Sequence, residues 1–209
     1  MGHIEIDMNE ENTLRSIRIG VISDTHVPDR VSALHPDIIP SFKELNVNMI
    51  VHAGDISSPV VIRQLEEAAA VHYVQGNRDW WRFKDLPAEK WLNINEVRIM
   101  ISHGHGRLST YLWEKIPIIF LGYSFERFYK KFSIAINEFD IVIFGHSHRA
   151  ENRWVDGKLF FNPGSASDFG YLKQGPSIGL IEIFPCKHVK ARIIKLKEKK
   201  WRRGSWIDR

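Results

Sequence analysis

The chain has 209 residues, 44% of them hydrophobic, enough to bury a substantial core in one domain. Twenty-nine Lys and Arg against 25 Asp and Glu give a net charge of +4, but residues 187–203 alone hold nine of the cations and one Glu, so the charge belongs to a C-terminal segment and does not by itself argue for nucleic acid. One cysteine, Cys186, excludes an internal disulfide, no 18-residue apolar run is present, and acids stand where a signal peptide needs a basic region; a cytoplasmic protein with no membrane segment is expected.

Residues 1–16 are polar and non-periodic and read as a leader, with residues 17–209 as a single domain. The apolar run from Ile17 predicts a strand to Ser23. Ile38, Ile39, Phe42 and Leu45 predict a helix over 36–45 with Pro36 in its first turn, followed by a strand over 48–53. Ser58-Pro59 predicts an N-cap and first position for a helix reaching Ala70, and a strand over 71–74 comes next. Strands over 91–94 and 97–102 form a hairpin across Asn95-Glu96, an imperfect turn pair. A strand over 140–144 precedes a clearer hairpin across Asp156-Gly157, and strands over 177–184 and 189–196 finish the domain. Strands alternating with helices place the chain in the α/β class.

Five of these strands end in metal-ligand chemistry: Asp24 with His26, Asp55, Asn77, His103 with His105, and His146 with His148. Residues i and i+2 of extended chain point the same way, so Asp24 and His26 can converge on one point. Reactive groups of open α/β sheets gather at the C-terminal ends of the strands. Carboxylate, amide and imidazole donors together suit Mn²⁺, Fe²⁺, Co²⁺, Ni²⁺ or Zn²⁺. Glycines 54, 76 and 145 precede several of these groups, where backbone must pass close to a ligand. The donors outnumber the needs of one ion, so two ions sharing a carboxylate is the economical reading.

Asp24-x-His26, Gly54-Asp55, Gly76-Asn77-Arg78-Asp79, His103-Gly104 and Gly145-His146-Ser147-His148, in that order, resemble the signature of the calcineurin-like metallophosphoesterases. The similarity is greatest to the small single-domain bacterial and archaeal phosphodiesterases, and Asn162-Pro163-Gly164-Ser165 resembles a loop of that group. The resemblance runs from about Ile17 to Phe184 and implies a four-layer α-β-β-α sandwich of two mixed β-sheets flanked by helices. It implies two divalent ions per chain, manganese first and nickel, cobalt, iron or zinc as alternatives. Asp24, His26 and His148 would hold one ion, Asn77, His103 and His146 the other, and Asp55 would bridge. The implied activity is hydrolysis of a small phosphate ester, most naturally a diester, by in-line attack of a metal-bridging water. Asp55, Asn77, Arg78, His103 and His105 are the implied catalytic set. A phosphomonoesterase or nucleotide phosphatase on the same site is the alternative, and a non-catalytic metal-binding scaffold of this fold, like the eukaryotic retromer subunit, is a further one.

Larger members of the family carry His where this chain has Arg78. Arginine can clamp a phosphate but does not give up its proton at neutral pH, so diesters and good leaving groups are expected to be favoured. A salt bridge from Arg78 to Asp79 or Asp85 competes with that role, while Asp79 could orient a ligand histidine. His105 could supply the missing acid or face solvent, and His52 reads as a core or supporting histidine. Residues 107–139 look like a helical insertion, with Phe125, Phe128, Tyr129 and Phe132 on one helical stripe. Core packing, a lid and a dimer face all fit it, and a homo-oligomer is compatible with the last. Trp80-Trp81 could wall the pocket or anchor its loop. The basic C-terminal segment reads as a lysine-guarded edge strand, with weak nucleic-acid contact as the runner-up.

Overall fold

The computed structural model describes residues 15–104, 124–132, 137–167 and 175–208. In chain order the elements are β1 (Ile17–Ile22), α1 (Ile38–Glu44), β2 (Met49–His52), α2 (Pro59–Glu66), β3 (Ala70–Tyr73), β4 (Glu89–Ile94) and β5 (Val97–Ser102). There follow α3 (Phe125–Phe132), β6 (Ile141–Ile143), β7 (Glu151–Val155), β8 (Lys158–Asn162), β9 (Ser177–Ile183), β10 (Val189–Lys195), β11 (Lys199–Arg202) and β12 (Ser205–Asp208).

Two five-stranded mixed sheets carry the fold, one ordered β10-β9-β1-β2-β3 and the other β4-β5-β6-β8-β7. β1, β2 and β3 run parallel, with Ile19 opposite Met49 and Met49 opposite Ala70. β5, β6 and β8 are parallel in the second sheet, with Ile99 opposite Ile141 and Ile141 opposite Leu159. Central parallel strands are buried on both faces, which is why β1 apart from Arg18, and β2 up to His52, read as nearly continuous apolar runs. Ile19, Val21, Val51 and Ile181 of the first sheet meet Ile99, Ile101, Ile143 and Phe161 of the second in the central core. Each such side chain, fully removed from water, contributes about 1.5–3 kcal/mol. The outer face of the first sheet packs Ile22, Ile50 and Leu180 against Ile38 and Phe42 of α1 and Val61 and Leu65 of α2. The outer face of the second packs Met100, Val142, Phe144 and Phe160 against Phe125 and Phe132 of α3. Helices, sheet, sheet, helix is the expected four-layer order.

Several details differ from expectation. α1 starts after Pro36, at an Asp37 cap whose side chain makes no capping bond, and it accommodates Pro40 in its first turn, where amides lack helical partners anyway. α2 opens as expected, with Ser58 accepting the Val60 N–H and Pro59 at the first position. It stops at Glu66 because Ala70 is already paired with Met49 in the sheet. The Asn95-Glu96 turn holds both residues at positive φ, 48° and 61°, so the hairpin forms despite the non-glycine second residue. α3 is a core helix, since its Phe125 and Phe132 are buried. The lid and dimer readings of 107–139 rest largely on residues 107–123 and 133–136, which lie outside the described residues, as do residues 1–14 of the leader. β10 is an edge strand of alternating burial, as its lysines suggested. The β11–β12 hairpin beyond it was not foreseen. Among the described residues no helix is long and apolar enough to cross a membrane.

Candidate metal centre

The C-terminal ends of β1, β2, β3, β5 and β6 deliver the predicted donors to one place. Asp24 Oδ1 lies 3.2 Å from His148 Nε2, 3.8 Å from His26 Nε2 and 3.9 Å from His103 Nε2. His26 Nε2 and His148 Nε2 stand 3.1 Å apart, two ring nitrogens turned towards each other. Asn77 Oδ1 lies 3.0 Å from His146 Nδ1 and 3.3 Å from His103 Nε2. Asp55 sits between these groups, its Oδ2 3.8 Å from His26 Nε2 and its Oδ1 3.4 Å from His103 Nε2. Asp24, His26 and His148 form one trio whose ligand atoms lie within 4.8 Å of one another, and Asp24, Asp55 and His103 form a second. Seven predicted metal ligands are therefore neighbours. His105 lies outside the described residues.

The backbone is strained to achieve this. Asp24, His26, Asp55, His146 and His148 all take positive φ, between 51° and 67°. Such conformations cost about 1–3 kcal/mol each in non-glycine residues and collect at functional sites. The neighbouring glycines leave no room for a side chain. A Cβ at Gly76 would collide with the amide and Oδ1 of Asp55, and one at Gly54 would stand 2.6 Å from His103 Nδ1.

A shell of hydrogen bonds holds the donors. His103 Nδ1–H donates to Ala53 O at 2.6 Å, which turns Nε2 inward. His26 Nδ1 is buried with no hydrogen-bond partner, and its ring is met on the Nε2 side by His148, Asp24 and Asp55. Asp24 Oδ2 accepts from Ser23 Oγ and from the His146 amide, while the buried Oδ1 receives no hydrogen bond. Asp55 Oδ1 accepts the Arg78 amide at 2.8 Å. Asp79 does not touch a ligand histidine, contrary to expectation. Its carboxylate accepts the amides of Ile56, Ser57 and Gly76 at 2.8–3.2 Å, clamping the Asp55 loop to the Asn77 loop. The loop beginning at Asn162 has a similar task, for which its sequence supplied only a resemblance. Asn162 Nδ2 donates to Gly145 O and Ser147 Oγ, and Ser165 and Ser167 both donate to Asp24 O at 3.1 Å. His52 is a buried supporting residue, its Nε2 3.1 Å from Thr25 Oγ1.

Electrostatics follow from burial and these neighbours. Burial alone would raise the pKa of Asp24, but His148, then His103 and His26, hold it far below the usual carboxylate range. Burial likewise works against ionised Asp55, and His103 outweighs it. Burial also disfavours a charged His103, yet Asp55 and Asp24 push its pKa up to about 9. Two ionised carboxylates thus stand beside one imidazole whose protonated form they favour. An unbonded carboxylate oxygen, paired ring nitrogens and an amide oxygen between imidazoles fit a divalent metal ion.

Arg78 is exposed, and among the described residues its guanidinium pairs with neither Asp79 nor Asp85. Of the Trp80-Trp81 pair, Trp81 is 86% exposed and does not anchor the loop by burial, whereas Trp80 is half-buried. One half-buried cation near the carboxylates went unnoticed in the sequence: Arg30, in the turn after His26, where a lone basic residue four positions past a histidine gives little signal.

A family model described as "calcineurin-like phosphoesterase superfamily domain" matches residues 17–183. A probable metallophosphoesterase of Methanothermobacter thermautotrophicus is 33% identical over 149 residues, 70% of this chain and 76% of the relative. A phosphodiesterase of Methanocaldococcus jannaschii is 30% identical over 179 residues, 79% of this chain and 93% of the relative. Among solved structures, vacuolar protein sorting 29 from Cryptosporidium parvum superposes with a TM-score of 0.64 at 19% identity, covering 92% of this chain and 95% of that one, a likeness of fold.

Proposed function

The chain belongs to the calcineurin-like phosphoesterase superfamily, and on that premise we propose that it hydrolyses a phosphodiester with the help of two divalent ions. Asp24, His26 and His148 would hold one ion, Asn77, His103 and His146 the other, and Asp55, between the two sets, would contribute to both. When bound, such ions acidify water into a nucleophile near neutral pH and neutralise phosphate oxygens. The observation that carries the reading is Asp55, whose two oxygens face His26 on one side and His103 on the other.

The residues divide the work. Asp55 stays ionised and takes the Arg78 amide, which fixes the rotation of its carboxylate. Asn77 contributes a neutral oxygen, which limits the negative charge facing the substrate. Arg78 offers N–H donors to phosphate oxygens and no transferable proton, so a leaving group that departs as a stable anion is favoured. Manganese is the metal proposed, and a cytoplasmic location accords with a single cysteine.

The test is turnover of bis-p-nitrophenyl phosphate and of an alkyl monophosphate with added Mn²⁺, beside Asp55→Asn. Metal-dependent diester hydrolysis that falls by at least about 100-fold in the variant supports the reading, because even outer-shell changes cost 10–100-fold. A preference for the alkyl monoester, or activity indifferent to metal and to the substitution, contradicts it. The likeness of fold to vacuolar protein sorting 29 keeps a non-catalytic scaffold as the second reading, favoured if the chain binds metal but turns over no ester.

A further inference from the structure

Thr25 stands between Asp24 and His26, and its hydroxyl crosses to the loop that carries Asp55. Thr25 Oγ1 lies 3.2 Å from both Asp55 O and Ile56 O and 3.1 Å from His52 Nε2. Thr25 and His52 are both buried. The two backbones are also laced directly: the Asp24 N–H donates to Gly54 O and the His26 N–H to Asp55 O, each at 3.1 Å. Asp24 and His26 hold positive φ, 55° and 51°, so the loop around Thr25 depends on such contacts to keep its shape.

Counting protons gives these contacts a direction. Carbonyl oxygens only accept, so the single hydroxyl proton of Thr25 serves Asp55 O or Ile56 O, and its lone pairs are left for His52. His52 then carries its proton on Nε2 and donates to Thr25 Oγ1. The opposite tautomer would turn the hydroxyl away from both carbonyls. It would also strand an N–H at His52 Nδ1, which is buried with no hydrogen-bond partner, and orphaned buried N–H groups are rare. A buried histidine thus fixes a hydroxyl, and the hydroxyl fixes the backbone on either side of the Asp55–Ile56 peptide. The donors assigned to the second ion have supports of their own: His103 donates to Ala53 O, and Asp55 Oδ1 accepts the Arg78 amide.

We propose that His52 and Thr25 are positioning residues: their relay sets the Asp24–His26 loop against Asp55 and so tunes the fit of the ion assigned to Asp24, His26 and His148. The inference rests on the two-ion reading, and its test separates the two. Mn²⁺ is titrated calorimetrically into wild type, Thr25→Val, Thr25→Ser, His52→Leu and His52→Gln, with circular dichroism melts on the same samples. Thr25→Val keeps the shape of the side chain without its hydroxyl. It is expected to weaken one of two manganese ions by about 10–100-fold, as loss of a group that orients a metal ligand does, and to leave the other unchanged. His52→Leu is expected to act in the same way. Thr25→Ser restores the hydroxyl, and His52→Gln brings an amide N–H to the place of the ring N–H; both are expected to bind manganese as wild type does. Equal affinities in Thr25→Val and wild type overturn the relay, as does a parallel weakening of both ions that Thr25→Ser does not rescue, which is the mark of a general packing loss. A wild type that binds one ion, weakened in Thr25→Val and restored in Thr25→Ser, removes the two-ion reading and leaves the relay standing.

Discussion

Asp79 shows how a residue can be recognised from a motif and still be misread. Its position beside Asn77 suggested a partner for a ligand histidine, whereas its two oxygens serve three backbone amides. Changing it to asparagine replaces one acceptor by a donor facing an N–H. Asp79→Asn is therefore expected to lower unfolding free energy by about 1–3 kcal/mol and to weaken metal affinity by about 10–100-fold, read by denaturant melts and metal titration. Unchanged stability would show that the clamp is dispensable. The donors themselves were legible in the sequence because Asp-x-His, Gly-Asp, Gly-Asn and Gly-His-x-His each follow a strand, but the extended chain expected to bring Asp24 and His26 together is absent: both lie beyond β1 at positive φ, and loop conformation makes them converge. Arg30 was not legible, because nothing in local periodicity marks a basic residue tied by its backbone N–H to His26 O.

Strands with continuous apolar runs and a helix with a Ser-Pro start declared themselves, since both depend on short-range chemistry. Boundaries did not, because pairing decides them: Ala70 leaves α2 for the sheet. The β4–β5 turn offers a test of local preference. Glu96 sits at φ 61° where glycine is the favoured residue, and its ion pair with Lys187 is exposed. Glu96→Gly is expected to stabilise the protein by up to about 1.5 kcal/mol, the relief of such a conformation less the cost of a more flexible unfolded chain. A destabilised variant would mean that the turn is not under strain. The β11–β12 hairpin escaped notice because its charged stretch lacks apolar alternation, while Trp201 and Trp206, which pack against the first sheet's outer core, stand alone in the sequence.

Taken as a whole, the molecule stores its chemistry in buried ionisable groups, and its stability without metal should follow pH accordingly. Burial lowers the pKa of His52 from 6.5 to about 3 and of His26 to about 4, so both stay neutral when folded but take up protons when unfolded below about 6.5. A depressed folded pKa means that stability is complete above the unfolded value and falls as pH drops from 6.5 towards these folded values, by up to about 1.4 kcal/mol per pH unit for each histidine. Urea melts of metal-free protein between pH 7 and 4 read this directly. A flat profile would contradict the buried neutral state of His52, most clearly in His52→Gln, which should lose its share of the slope.

The central claim is that donors from five strand ends surround two cations and share Asp55. Anomalous X-ray scattering from crystals of manganese-reconstituted protein tests it most directly. Two manganese peaks are expected, one on each side of the Asp55 carboxylate, one bounded by His26 and His148 and the other by Asn77, His103 and His146. A single peak, or peaks away from Asp55, would contradict the account.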